Sequence, residues 1–110
     1  MKSKKQSNYS SEDVQLSKIA KALGHPARIA IIKHLASLET CCFTEISNEI
    51  PLAHSTVSQH LTELKKAGLI QGNIEPPRVK YCINYENWKL VRKHFNEFTK
   101  MIIVKYEKDY

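Results

Sequence analysis

Between residues 54 and 84 the spacing of apolar residues changes once, and that change limits the fold more than any other feature of the chain. In HSTVSQHLTELKKA, Val57, Leu61 and Leu64 recur at intervals of three and four, the seam of an amphipathic helix over residues 54–67. Gly68 follows as a helix-ending residue. In VKYCIN, Val79, Tyr81 and Ile83 then alternate with Lys80, Cys82 and Asn84, the pattern of a half-buried strand. LIQGNI before it is also short and extended, and EPPR between the two is a stiff loop, so the pair reads as a β-hairpin with a proline-rich tip.

Upstream the pattern is mainly helical, with the short TCCF of residues 40–43 open to an extended reading. Ser10 and Ser11 followed by Glu12 and Asp13 start a first helix whose face is Leu16, Ile19, Ala20 and Leu23. Pro26 opens a second helix over about residues 26–38, carrying Ile29, Ile32, Leu35, Ala36 and Leu38. Thr44 caps a short third helix with Ile46 and Ile50, which Pro51 stops. After the hairpin, Trp88, Val91, Phe95, Phe98 and Ile102 repeat by three and four along a last long helix. The order predicts a mainly α fold with a small β-hairpin wing. It is a winged helix-turn-helix of five helices whose third and fourth form the helix-turn-helix. Residues 1–10 read as a flexible basic arm, 11–104 as the DNA-binding and dimerisation domain, and 105–110 as a C-terminal tail.

Composition narrows the function. At 110 residues the chain is one domain by length, with a core of modest size. The net charge of +6 points to a polyanionic partner, nucleic acid first and an anionic membrane second. No apolar run reaches the ~18 residues of a membrane span. The opening MKSKKQSNYSSED has no hydrophobic stretch after its charges, so no signal peptide is expected and the location reads as cytoplasmic. Paired carboxylates, a nucleophile–base set and a glycine-rich phosphate loop do not stand out, so no enzyme is expected.

On a helical wheel of the fourth helix, Ser55, Gln59, Thr62 and Lys66 lie opposite the apolar seam, flanked by Thr56 and Ser58. Hydroxyls and an amide of this kind can read base edges in a major groove, glutamine pairing bidentately with adenine. Lys65 and Lys66 near the helix end suit phosphates or the last carbonyls. His60 sits at the edge of the seam, as a packing residue or a phosphate contact. Arg78 and Lys80 of the hairpin can reach phosphate or the adjacent minor groove. The plainer readings are a solvated helix face and a solvated hairpin tip, and a wing module that binds protein stays open. Leu16 of the first helix with Trp88, Val91, Phe95, Phe98 and Ile102 of the last expose more apolar surface than one small domain covers. The expectation is a two-fold homodimer on inverted-repeat operator DNA, the alternative being a last helix folded back on its own domain.

The segments LGHPARIAIIKHLA, TEIS and STVSQHLTELKKAGLI, with VKYCIN in the wing, resemble the ArsR (arsenical resistance regulator) family of bacterial repressors over roughly residues 12–100. His25 departs from the pattern, where an acidic residue is common. The resemblance implies a homodimeric winged-helix repressor that releases its operator when an inducer binds. Many such proteins sense metal or metalloid ions; some sense redox state or have lost their metal sites.

The three cysteines bear on the inducer. An odd count with two adjacent members, Cys41 and Cys42, does not suit a disulfide framework, and free thiols are expected. The family often carries a Cys-x-Cys pair here; Cys42 matches its first member, Thr44 stands at the second, and Cys41 is offset. In winged helices the segment before the third helix runs beside the second wing strand. That arrangement makes Cys42 and Cys82 cross-strand neighbours, with Cys41 one residue off. Three thiolates suit a trigonal site for As(III) or Sb(III) as inducer, soft ligands for a soft ion. Zinc or cadmium is less favoured, zinc wanting a fourth ligand. A redox switch and inert packing are the remaining readings. His94 and Glu97 resemble half of an interfacial zinc site whose Asp-x-His half is absent. No cofactor is required for folding.

Overall fold

A computed structural model describes residues 8–38, 54–75 and 78–109. They form helices α1 (Ser11–Ala22), α2 (Pro26–Ser37) and α3 (His54–Lys66), strands β1 (Ile70–Glu75) and β2 (Arg78–Ile83), and helix α4 (Tyr85–Asp109). Among the described residues there are thus four helices where five were expected, and the third, expected over residues 44–50, falls outside them. The rest of the architecture is the predicted one, mainly helical with one antiparallel two-stranded hairpin.

Each helix end has a local cause. The Ser10 side chain accepts from the Asp13 N–H at 3.0 Å, and Glu12 and Asp13 place negative charge on the first turn of α1. His25 plays the same capping part for α2, whose first residue is Pro26. Helix α3 closes in a Schellman turn. Gly68 N–H donates to Lys65 O and Leu69 N–H to Leu64 O, each at 3.0 Å, with Gly68 at φ +78°. Leu64 and Leu69, the two residues that such a turn brings together, are 0% and 1% exposed.

The hairpin pairs Ile70 with Ile83, Gln71 with Cys82, Gly72 with Tyr81 and Asn73 with Lys80. Ile70 is buried, and Tyr81 and Ile83 pack on the core, so the strand alternation read from the sequence holds at these positions. The core joins Ile19 and Ala22 of α1, Ile31 and Leu35 of α2, Val57, Leu61 and Leu64 of α3, Leu69 and Ile70, and Val91 of α4. Helix α4 reaches Asp109, so residues 105–109, expected as a tail, are helical. Nothing in KYEKD breaks a helix. No helix among the described residues is long and apolar enough to cross a membrane.

Candidate nucleic-acid interface

The anchor of the site is the buried side of α3. Val57, Leu61 and Leu64 are at most 3% exposed, which fixes the helix by its apolar seam and turns the other side to solvent. Ser58, Gln59, Thr62 and Lys66 are exposed, and Thr56 is half-buried. The side chain of Ser55 lies outside the described residues. Thr62 Oγ1 donates to the Ser58 carbonyl at 2.9 Å, so its proton is occupied and it offers outward a methyl group and an accepting oxygen. Lys66 approaches Glu63 at 3.6 Å with most of its side chain in solvent. A surface pair of this kind contributes little and leaves the ammonium available to a phosphate.

The wing is joined to this helix on two sides. Lys65 runs back over the hairpin, where its Nζ lies 3.4 Å from the place a Cβ would take on Gly72. At the base, Asn84 N–H donates to Leu69 O at 3.2 Å, Trp88 Nε1 to the same carbonyl at 3.0 Å, and Asn87 Nδ2 to Gly68 O at 2.8 Å. The turn that ends α3 is therefore held by the first turn of α4. Sequence reasoning missed this brace; an Asn and a Trp directly after a predicted strand were its only trace. Lys80 is half-buried, and the side chain of Arg78 lies outside the described residues.

Of the two roles expected of His60 at the edge of the seam, the structure shows the packing one. It is 8% exposed and faces inward, so it is not on the exposed face with Gln59. Arg28 Nε donates to its Nδ1 at 3.1 Å, and the His25 ring stands 4.5 Å away. Burial first, then the neighbouring His25 and Arg28, hold its pKa below the ordinary 6.5. The spacing 57, 60, 61, 64 is a complete helical seam and carried the signal for an internal His60.

Two residues assigned to the dimer surface belong to the domain itself. Val91 is 5% exposed in the core, and the Trp88 indole N–H donates to Leu69 O. They face inward because α4 covers the α3–β1 turn. Phe95 also packs against the core, and Leu16 is half-buried. Phe98 and Ile102 remain open, at 49% and 55%. Leu16 and Phe98 line a shallow cleft between α1 and α4 together with Glu12, Asp13, His94, Glu97 and Met101.

Cys41 and Cys42 lie outside the described residues. Cys82, half-buried on β2, is disulfide-bonded, in contrast to the free thiol expected. Among the described residues no three His, Cys, Asp or Glu side chains are grouped to hold a metal.

Residues 25–71 match the family described as bacterial regulatory protein, arsR family. An uncharacterized HTH-type transcriptional regulator of Methanocaldococcus jannaschii is 40% identical over 57 residues, 52% of this chain, and the chain spans 64% of that relative's length. The HTH-type transcriptional regulator YgaV of Escherichia coli is 31% identical over 72 residues, 66% of this chain and 73% of its own. Among solved structures, an ArsR-like transcriptional regulator from Rhodococcus superposes with a TM-score of 0.74 at 13% identity, over 90% of this chain and 92% of that one. The homodimeric winged helix-turn-helix DNA-binding domain of a possible ArsR-family regulator from Mycobacterium bovis superposes with a TM-score of 0.60 at 23% identity, over 93% and 94%.

Proposed function

The chain belongs to the arsR family of bacterial regulatory proteins, and on that premise we propose that it is a homodimeric transcriptional repressor. Its α3 enters the major groove of an inverted-repeat operator. The observation that carries this reading is the division of α3 into a buried aliphatic seam and an exposed face of Ser58, Gln59, Thr62 and Lys66 beside a β-hairpin. Hydroxyls and an amide on that face can meet base edges, and Lys66 a phosphate. Arg78 and Lys80 of the hairpin supply further phosphate contacts, which the net charge of +6 favours. The homodimer described for the M. bovis neighbour supports a two-fold assembly here, with Leu16, Phe98 and Ile102 at the seam. The family is one of regulatory proteins rather than enzymes.

The inducer acts on cysteine sulfur. As(III) or Sb(III) bound by Cys41, Cys42 and Cys82 as thiolates would favour the conformation with low DNA affinity, since only differential affinity shifts such an equilibrium. A second reading, oxidation of the same thiols, is favoured by the disulfide at Cys82. A gel-shift titration on the DNA upstream of the protein's own gene, at moderate salt, tests the repressor reading. Salt-sensitive binding of an inverted repeat supports it, and no binding above that of random DNA overturns it. With reduced protein, release by arsenite that Cys42→Ser or Cys82→Ser abolishes supports the metalloid. Release by a thiol oxidant alone, reversed by dithiothreitol, supports the redox switch instead.

A further inference from the structure

Two histidine rings between α1, α2 and α3 both accept hydrogen bonds at Nδ1. Ala27 N–H donates to His25 Nδ1 at 3.0 Å, which caps α2. Arg28 Nε donates to His60 Nδ1 at 3.1 Å, and Arg28 Nη1 donates to the Ala22 carbonyl at 3.2 Å. The ring centroids are 4.5 Å apart and the rings are tilted by 47°. One guanidinium therefore ties the end of α1 to the inner side of α3, and the capping residue of α2 leans on the same ring.

An imidazole accepts at Nδ1 only while that nitrogen is unprotonated. A proton added to either ring turns its acceptor into a donor that faces another donor. At His60 it also creates a buried cation beside Arg28, a costly placement without a paired anion. Among the described residues, the groups that act on His60 from the packed elements are His25 of the α1–α2 turn and Arg28 of α2, and neither is a carboxylate. On α3 itself Glu63, one turn further on, is paired with Lys66.

We propose that His25, Arg28 and His60 form a proton-sensitive clasp that positions α3 against α2, so that acidification loosens α3 and lowers DNA affinity. The coupling to DNA rests on the repressor reading; the clasp itself does not. The depressed His60 pKa agrees in sign, because the unfolded chain takes up the proton more readily than the folded one. Stability is then full above about pH 6.5 and declines as pH falls below it. Acid also adds positive charge to any solvent-facing imidazole, which by itself strengthens attraction to DNA. The two effects have opposite signs, so the direction of the pH response is informative.

The test compares the full chain with a His25→Asn, His60→Asn double variant. Asparagine places an accepting oxygen near the Nδ1 position and does not titrate. Melting midpoints of the proteins alone, and affinities for the upstream DNA fragment, are measured at about pH 7.5 and about pH 5.5, on either side of the ordinary histidine pKa. The clasp predicts a wild-type midpoint that falls on acidification and a variant midpoint that falls much less. It predicts wild-type affinity falling several-fold while that of the variant stays level or rises. Parallel midpoints overturn the clasp. Absence of DNA binding at either pH overturns the repressor reading and the coupling, while the midpoints still judge the clasp. For a variant that does not fold, the imidazole nitrogen spectrum of the wild type decides. Unprotonated Nδ1 atoms at about pH 7.5 on both rings support the clasp, and a protonated Nδ1 on His60 sinks it.

Discussion

Gly68 is where a single residue decides whether α3 can stop in the right place. Its φ of +78° lies in the left-handed region, and a Cβ there would sit 2.6 Å from Asn87 Nδ2. Gly68→Ala therefore meets both backbone strain and a clash with the side chain that bonds its carbonyl. A loss of about 1–3 kcal/mol in urea unfolding is expected, and a neutral result would contradict the Schellman geometry. Gln59 is the opposite kind of residue, its side chain exposed and without a hydrogen bond to another described residue. Gln59→Ala should leave the melting midpoint unchanged and lower affinity for the operator by about 1–3 kcal/mol, with little change for random DNA. An equal loss on both DNAs would make Gln59 a phosphate contact rather than a base reader. Gly68 was legible in the sequence because a glycine after a helical seam has few other uses. The inward turn of His60 was legible too, from its place between Val57 and Leu61. The Arg28–His60 bond was not, since 32 residues separate its partners and neither spacing nor residue type links them.

At the level of elements, α3 is where periodicity spoke most clearly, because it has one buried side and one wet side. That contrast makes the pattern readable in the first place. Helix α4 was read well along its seam and poorly in its allegiance. Trp88 and Val91 share the stripe with Phe98 and Ile102, yet the first pair covers the domain and the second stands open. A stripe tells which side of a helix is apolar and does not tell which body it meets. The end of α4 was likewise hidden, because residues 105–109 lack both a breaker and a seam. The division of labour on α3 gives a paired prediction. Leu64→Ala removes a fully buried side chain and should cost about 2–5 kcal/mol of stability. Lys66→Ala touches only an exposed ion pair and should stay within about 0.5 kcal/mol of wild type. It should instead lower the slope of log affinity against log salt by about one. A stability loss from Lys66→Ala comparable to that of Leu64→Ala would mean that the exposed and buried sides of α3 have been exchanged.

The molecule as a whole is left with an apolar end that its own domain does not cover. Met101, Ile102, Ile103 and Val104 are consecutive on α4, and all are between 49% and 74% exposed. Successive residues on a helix turn by about 100°, so these side chains point around the whole circumference and no single fold-back could bury them. Phe98 extends the patch by one turn toward α1, where Leu16 flanks it across the cleft. Contiguous exposed apolar surface of this kind marks an interface, and in a two-fold dimer each α4 meets the same patch on its partner. Association then stabilises the fold by mass action, and the melting midpoint of the wild type should rise with protein concentration. Ile102→Glu places a charge at the seam without touching the core around Ile31 and Leu64. It should shift the protein toward monomer in sedimentation velocity and remove the concentration dependence of melting. A monomer carries one α3, so the same variant should bind an inverted repeat no more tightly than a single half-site. On the repressor reading a two-fold wild type gains by engaging both half-sites, about 34 Å apart along the helix axis. If Ile102→Glu and Phe98→Glu both sediment as the wild type does, α4 is not the dimer seam, and the operator would have to be read by a different pairing of the two recognition helices.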